Sequence, residues 1–308
     1  MAMIETQGLT HRYGRVSALV DVELEVPEGA LYALLGANGA GKSTLLQILM
    51  GLRRATGGRA SVLGRDVSRL TMEERGRITY VAEGQALPSW MTLEQLEAYL
   101  APLYPAWDHA LADELRLRFR LDPRRKVGTL SRGERMKAAM LCALAPRPRL
   151  LLLDEPFTGM DVLVKDELVR GLLESAGEEG WTILVCSHDI NELETLADWV
   201  GFLDRGRLTL SEPMEVLRER LQRVEVVTGN GAVPLPVRLP AEWLAVERSG
   251  PRISFLLSGA GSPGGGAELR GWFPEAARID VRAASLREIF VALAQGNGGD
   301  TRFQEVAS

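Results

Sequence analysis

A nine-residue stretch, GANGAGKST, combines residue types and spacing that suit phosphate binding. Its members are Gly36, Ala37, Asn38, Gly39, Ala40, Gly41, Lys42, Ser43 and Thr44. An apolar run precedes it and a segment with the composition of a helix start follows, which is the setting of the pattern G-x-x-x-x-G-K-[ST]. Glycines let backbone N–H groups approach an anion, and the helix directs its positive end at the same charge. We expect Lys42 to reach the outer phosphates of a nucleotide and Ser43 to bind Mg²⁺.

Two carboxylates follow the continuous apolar run 150–153. Such a run is typical of a strand buried on both faces in a parallel sheet, and ligands bind at the carboxyl ends of those strands. We interpret Asp154 as a further oxygen ligand of Mg²⁺. Glu155 would orient or deprotonate a water molecule that attacks the terminal phosphate.

His188 follows a second apolar run, 182–186. A histidine at a strand end can simply be a hydrogen-bonded structural residue. Its position after the Asp154 strand favours a hydrogen bond to the γ-phosphate oxygen instead.

Strands that alternate with helices predict a largely parallel sheet covered on both faces. The short alternating pattern at 3–26 indicates β-strands with one wet face, and Gly57, Gly58 and Gly64 mark a hairpin. Further strands are predicted at 30–35, 78–82, 150–153 and 182–186, and helical patterns at 45–50, 92–103, 111–119, 135–144 and 162–176.

The character of the chain changes near residue 221, which divides it into residues 1–221 and residues 222–308. We expect residues 85–145, approximately, to form a helical subdomain of the first part. The second part has β-like runs at VEVVTG and RISFLLSG, the flexible stretch GAGSPGGGAE, an apolar helix over 285–294 and a frayed end. It predicts a small α+β accessory domain.

Composition limits the possible partners. Lys and Arg number 36 against 41 Asp and Glu, a net charge of −5, so no basic excess indicates nucleic-acid binding. The chain contains neither an apolar run long enough to span a membrane nor the layout of a signal peptide, which predicts a cytosolic location. Cys142 and Cys186 sit in apolar surroundings and are expected to be buried structural thiols.

The ordered series Tyr13, GANGAGKST, Glu83, LSRGE, LLLLDEP, TGMD and His188 resembles the nucleotide-binding subunit of ATP-binding cassette (ABC) transporters over about residues 1–220. The resemblance implies an α/β P-loop cassette with a mainly parallel sheet core, an antiparallel β lobe and a helical subdomain. It is similar, more loosely, to exporter cassettes that carry an extra C-terminal region.

That resemblance implies a role for each motif. Tyr13 would stack on the adenine, residues 36–44 would form the phosphate loop, and Glu83 would occupy the Q-loop position. Ser131 and Gly133 would be the signature residues that contact the γ-phosphate of the partner's nucleotide. Asp154 would be the magnesium ligand, Glu155 the catalytic carboxylate, Asp161 the D-loop residue and His188 the switch histidine.

Three positions, in two motifs, depart from the family pattern. Glu83 stands where glutamine is usual, so it is expected to supply a metal or water contact with added charge, and Gln85 is the alternative Q-loop residue. In the signature, Arg132 replaces glycine and Glu134 replaces glutamine. Arg132 could add a charged contact across the dimer.

The resemblance further implies two copies, identical or related, that close head-to-tail over two ATP molecules. A separately encoded membrane permease, most simply an exporter, would dock on the loop GQALPSWMT, where Leu87, Trp90 and Met91 either contact it or pack internally. The chain would then lie at the inner face of the membrane. The alternatives are a soluble ABC ATPase acting on ribosomes or DNA, and an ATP sensor without turnover.

Overall fold

The computed structural model describes residues 2–228, 239–240, 242–259 and 265–296. By its internal contacts the chain divides into two compact units, each described separately below. The first comprises Met1–His188 with Leu203–Leu208, and the second comprises Asp189–Phe202 with Thr209–Ser308. The predicted boundary at residues 221 and 222 falls at the beginning of a strand in the second unit and stays a prediction.

The first unit contains an antiparallel lobe and a parallel core sheet. Its strands are β1 (Ala2–Tyr13), β2 (Val16–Val22), β3 (Glu25–Pro27), β4 (Leu31–Leu35), β5 (Gly57–Val62), β6 (Arg65–Asp66), β7 (Ile78–Val81), β8 (Leu150–Asp154) and β9 (Thr182–Ser187). The lobe has the order β2-β1-β5-β6, with β3 also paired to β1. In the core the order is β4-β9-β8-β7, all parallel.

The helices of this unit are α1 (Lys42–Leu49), α2 (Met72–Arg75), α3 (Leu93–Leu100), α4 (His109–Arg118), α5 (Arg132–Leu144) and α6 (Val162–Glu179). Helices α3 and α4 both pack against α5 and form the predicted helical subdomain. Thr92, where the predicted helical pattern 92–103 begins, caps α3 in a reciprocal box with Gln95. Helix α5 begins at Arg132, earlier than the predicted Arg135, because Ser131 caps it.

The core strands are buried because they are apolar on both faces. Every residue of β4, β8 and β9 is buried, which confirms the strands predicted from their continuous apolar runs. Leu35 pairs with Ser187, and Asp154 pairs with Cys186. Since β9 lies between β4 and β8, the residues that follow these three strands meet at one edge of the sheet.

The second unit is α+β. Its elements are α7 (Ile190–Leu193), the greater part of β10 (Trp199–Asp204) and of β11 (Arg207–Pro213), α8 (Met214–Arg220), β12 (Leu221–Thr228), β13 (Trp243–Ser249), β14 (Arg252–Ser258), α9 (Gly265–Trp272), β15 (Ala276–Ala283) and α10 (Leu286–Gly296). Strands β13-β14-β12-β15 form an antiparallel sheet. Trp243 stacks on Phe255 at 4.2 Å and on Phe273 at 5.4 Å between ring centroids, and these rings fill its core.

One sequence prediction in this unit needs correction. The stretch GAGSPGGGAE was expected to be a mobile loop, but Gly265 begins helix α9, so its last four residues are helical. Residues 260–264 of the stretch, and the predicted frayed end at 297–308, lie outside the described residues.

Both cysteines are free and buried, which confirms their prediction as structural thiols. Burial raises the pKa of the Cys142 thiol to about 12, so it stays protonated and unreactive at neutral pH.

Candidate active site

The loop between β4 and α1 has the strained turns that phosphate cradles use. Gly39 and Gly41 have φ angles of 82° and 112°, a region that residues with a Cβ rarely adopt. A Cβ on Gly41 would also lie 2.4 Å from the carbonyl oxygen of Ala18. The backbone path at this position therefore requires glycine.

Lys42 is 5% exposed, and its ammonium group is satisfied by its own loop and by one carboxylate. Its Nζ donates to the carbonyl oxygens of Gly36 at 2.6 Å and Ala37 at 3.3 Å. It also lies 3.2 Å from Oε1 of Glu155. The cation thus points across the mouth of the loop toward the end of β8, where an anionic ligand would meet it.

Glu155 lies between this cation and a histidine. Its second oxygen, Oε2, is 2.7 Å from His188 Nδ1 and accepts hydrogen bonds from the His188 backbone N–H at 3.3 Å and the Thr158 hydroxyl at 3.2 Å. The carboxylate is 7% exposed. The three residues predicted to act on the terminal phosphate, Lys42, Glu155 and His188, are therefore joined in one hydrogen-bonded and ionic chain.

Asp154 supplies a buried oxygen that suits a hard cation. Its Oδ2 accepts a hydrogen bond from the Tyr80 hydroxyl at 3.3 Å, whereas Oδ1 is buried without any hydrogen-bond partner. Burial raises the pKa of Asp154, a shift that the neighbouring charge of Glu155 reinforces and that hydrogen bonds from Ser43 and Tyr80 and the charge of Lys42 oppose. An unsatisfied carboxylate oxygen beside Ser43 fits Mg²⁺, whose remaining ligands are usually phosphate and water oxygens.

Among the described residues, no group of three or more His, Cys, Asp or Glu side chains is arranged to hold a metal ion, so Glu83 forms no such group with Asp154 and Glu155. Glu83 is exposed, and its metal and catalytic roles stay predictions. Gln85 accepts a hydrogen bond from the Ala82 backbone at 2.8 Å. It lines a cavity of about 330 Å³ together with Glu155, so of the two Q-loop candidates it is the one that shares a cavity with the predicted catalytic carboxylate.

Tyr13 lies at the end of β1 beside the phosphate loop. Its hydroxyl is 3.3 Å from that of Thr44, and the residue is 43% exposed. This position agrees with the predicted contact to a base. Its stacking role stays a prediction.

The signature residues form the first turn of α5. Ser131 and Glu134 make a reciprocal capping box, and Glu134 also accepts from Arg125 at 2.6 Å. The hydrogen bond from the Ser131 backbone N–H lowers the pKa of Glu134, and the contact with Arg125 lowers it further. Together they outweigh partial burial, which raises this pKa. Glu134 therefore acts here as a structural residue of the helix start.

Two close contacts attach this helix start to the beginning of α6. A Cβ on Gly133 would lie 3.0 Å from Val164, and a Cβ on Gly159 would lie 2.4 Å from the Arg132 guanidinium. Asp161, the predicted D-loop residue, caps α6 by accepting from the backbones of Leu163 at 3.1 Å and Val164 at 3.0 Å. Within the described part of the chain, no hydrogen bond or ion pair joins residues 131–134 to residues 36–44.

Several side chains of the site were not predicted from the sequence. They are Tyr80, which bonds Asp154, Thr158, which bonds Glu155, and Arg53, which lies over Tyr13. Thr158, three residues after Glu155, could have been found as a turn residue. The other two pairs are far apart in sequence, and no local pattern indicates them.

The comparisons with known proteins agree with this geometry. Residues 19–158 match the family model described as ABC transporter. The lantibiotic transport ATP-binding protein SrtF of Streptococcus pyogenes is 33% identical, over 68% of this chain and 90% of that protein. The chain therefore belongs to the ATP-binding proteins of ABC transporters, and its enzyme class is that of the ABC ATPases.

Two further similarities define what the chain shares with its relatives. The sulfate/thiosulfate import ATP-binding protein CysA of Bacillus cereus is 34% identical over 69% of this chain, but the match spans only 62% of that protein. A dimeric structure of the cassette MJ0796, in a post-hydrolysis state bound to ADP and Pi, matches with a TM-score of 0.62 and 25% identity, over 69% of this chain and 99% of that one.

Among the described residues, no helix is both long and apolar enough to cross a membrane.

Proposed function

We propose that this chain binds ATP at residues 36–44, hydrolyses it with Glu155 as the catalytic carboxylate, and thereby drives transport through a separately encoded membrane permease. The observation that carries the proposal is the position of Glu155, whose two oxygens contact Lys42 at 3.2 Å and His188 at 2.7 Å. A carboxylate held beside a phosphate-binding lysine is suitably located to orient water.

Binding of a triphosphate changes the partners of these side chains. Lys42 exchanges its loop carbonyls and Glu155 for phosphate oxygens, because an anion with several charges competes strongly for one ammonium group. Glu155 keeps its contacts to His188 and Thr158 and is then free on the side that faced Lys42. That free oxygen is the one that accepts a hydrogen bond from the attacking water.

Ser43 and Asp154 are the residues that would hold Mg²⁺, which neutralises phosphate charge when bound. The unpartnered Oδ1 of Asp154 supports this assignment. Tyr80 fixes the other oxygen of the carboxylate and so orients the free one.

The proposed active form is a dimer at the inner face of the membrane. Ser131 and Gly133 would contact the nucleotide of the partner copy. In support, no hydrogen bond or ion pair within the described residues joins them to their own phosphate loop. We keep export as the proposed direction, from the resemblance of the chain to exporter cassettes. The relatives are named for sulfate import and for lantibiotic transport. Export predicts ATP-driven uptake of solute into inside-out vesicles that contain the permease, whereas import predicts none.

Glu155→Gln tests the catalytic assignment. The amide keeps the shape of the side chain but cannot accept a proton, so we expect ATP binding to persist while turnover falls by about 100-fold or more. The variant should also accumulate as an ATP-bound dimer. ATPase assays and light scattering with and without ATP measure the two effects.

Glu94→Gln is the matched control, because its carboxylate takes part in no hydrogen bond or ion pair in the described part of the chain. It should hydrolyse ATP like the wild type. If Glu155→Gln also kept the wild-type rate, another residue would have to be the catalytic carboxylate.

A further inference from the structure

The ring of Tyr13 is contacted by a cation that the site assignments leave without a role. The guanidinium carbon of Arg53 lies 4.6 Å from the ring centroid, within the range of a cation–π interaction. The ring is also fixed at its hydroxyl by Thr44 and meets the ring of His11 edge-on, with centroids 4.7 Å apart. Tyr13 is nevertheless 43% exposed, so part of its surface is available to a ligand.

Arg53 is held in place by the helix that follows the phosphate loop. Its backbone N–H donates to the Gln47 carbonyl at 3.1 Å, and its Nε donates to the Gln47 side chain at 3.0 Å. Gln47 belongs to α1, which begins at Lys42. The same helix therefore fixes the lysine for the phosphates, Thr44 at the Tyr13 hydroxyl and, through Gln47, the cation over the ring.

We propose that Arg53 is a positioning residue for ATP, which holds the Tyr13 ring by a cation–π contact so that the exposed part of the ring stacks on the nucleobase. The inference rests on the proposed function, since it requires ATP to be the ligand. The Arg53 contact adds to the Thr44 and His11 contacts that hold the ring in one rotamer, and a ring fixed before binding loses less conformational entropy when the base stacks on it.

The geometry also admits a competing account, with the opposite consequence. If the guanidinium covered the face that the base needs, ATP would have to displace it, and removing Arg53 would tighten binding. The sign of the change in KM therefore decides between support and competition.

The test compares three variants in ATPase assays. Arg53→Ala should raise the KM for ATP about two- to fivefold, the factor that corresponds to a cation–π contact at a partly exposed site, with kcat unchanged. Arg53→Lys, which keeps a cation over the ring, should recover most of the loss. Arg54→Ala removes the same charge from an exposed neighbouring residue and should leave KM unchanged. A lower KM in Arg53→Ala, or equal effects of Arg53→Ala and Arg54→Ala, would overturn the proposal.

Inorganic tripolyphosphate provides the second measurement, because it has the phosphates of ATP without the base. As a competitive inhibitor it should bind the wild type and Arg53→Ala equally well. An equal loss for tripolyphosphate and ATP would mean that Arg53 acts only as a charge near the phosphates. If the wild type neither bound nor hydrolysed ATP, the proposed function itself would fail. That result differs from failure of the present inference, in which the wild type is active but substitution of Arg53 leaves the KM for ATP unchanged.

Discussion

Glu155 has a backbone conformation that non-glycine residues seldom adopt, with φ at 49°. Such positions cost on the order of 1–3 kcal/mol and persist where surrounding contacts hold them. Here the Glu155 N–H donates to the Cys186 carbonyl at 2.9 Å, and the side chain is held by Lys42, Thr158 and His188. The strain thus coincides with the residue that we assign to catalysis, which supports a functional reason for it.

Glu288, in the second unit, is a residue whose surroundings determine its charge. Its carboxylate accepts from both terminal nitrogens of Arg282, at 2.8 and 2.6 Å, and from the Ser285 backbone at 2.9 Å. Burial raises the pKa of Glu288, but these hydrogen bonds outweigh it and bring the value to about 2. With Ser285 it forms a reciprocal box at the start of α10.

We predict a pH-dependent loss of stability in Glu288→Gln. Because the folded pKa lies below the ordinary value of 4.5, the charged carboxylate stabilises the fold fully above about pH 4.5, and this contribution disappears as pH falls toward 2. The variant should therefore lose about 1 kcal/mol at pH 7, as for a lost helix cap, and the difference from the wild type should shrink near pH 3. Hydrogen exchange of the α10 backbone amides gives the free energy of opening of this helix at pH 7 and at pH 3.

Glu275→Gln is the control for this measurement, since Glu275 is exposed and its carboxylate has no hydrogen bond or ion pair among the described residues. It should leave α10 unchanged at both pH values. A Glu288→Gln effect of the same size at pH 7 and pH 3 would show that the charge of Glu288 is not what stabilises the helix start.

At the scale of elements, the parallel core was the most predictable part of the fold. Runs such as Leu150–Leu153 are apolar without alternation, so burial on both faces follows from composition alone. The strand order then brings together the residues after β4, β8 and β9, which the sequence had already singled out. The helix start with a capping box at Thr92 was detected locally, whereas the box at Ser131 was missed and α5 was predicted to begin three residues late.

The second unit was less predictable because its strands depend on their partners. Strand β15 is largely exposed: Arg278, Asp280 and Arg282 alternate with apolar residues, but Val281 on the apolar face is still 39% exposed, so the strand is defined mainly by its pairing with β12. Helix α9 begins in glycines that argue against a helix, and the tertiary contacts of Leu269 and Phe273 override that propensity. In the site, the partners Tyr80 and Arg53 depend on the same kind of long-range contact.

The loop before α3 carries the predicted permease contact. Trp90 is 70% exposed, so internal packing of this side chain, the alternative left open by the sequence, is wrong. The loop itself is fixed, because the Gly128 N–H donates to the Ser89 carbonyl at 3.0 Å and the Val127 N–H to that of Met91 at 2.9 Å. A rigid loop that exposes a tryptophan has the properties of an interface anchor.

We predict that Trp90→Ala reduces ATP-driven transport and co-purification of the permease at least tenfold. Loss of an aromatic anchor that an interface buries costs about 2 kcal/mol or more. ATPase activity of the isolated chain should stay at the wild-type level. Leu117→Ala removes another exposed apolar side chain of the helical subdomain, 80% exposed, and should affect neither. Equal losses of transport and basal ATPase activity in Trp90→Ala would instead indicate a folding defect.

For the whole molecule, the decisive question is whether one copy contains a complete site. Residues 36–44, Asp154, Glu155 and His188 meet at one sheet edge, whereas Ser131 belongs to a helix start that contacts α6. The proposed head-to-tail dimer with two-fold symmetry would complete two identical sites, each with the phosphate loop of one copy and the signature of the other.

Mixing two inactive variants tests this arrangement. Lys42→Ala removes the phosphate contact, and Ser131→Asp keeps a good helix cap while placing a negative charge toward the partner's nucleotide. Each alone should be inactive. Random pairing makes about half of the dimers mixed, each with one intact site, so activity should recover to at most about a quarter of the wild-type rate.

The control mixture, Lys42→Ala with Glu155→Gln, leaves no intact site because both substitutions affect the phosphate-loop side, and it should stay inactive. Recovery in both mixtures, or in neither, would contradict a site shared between two copies.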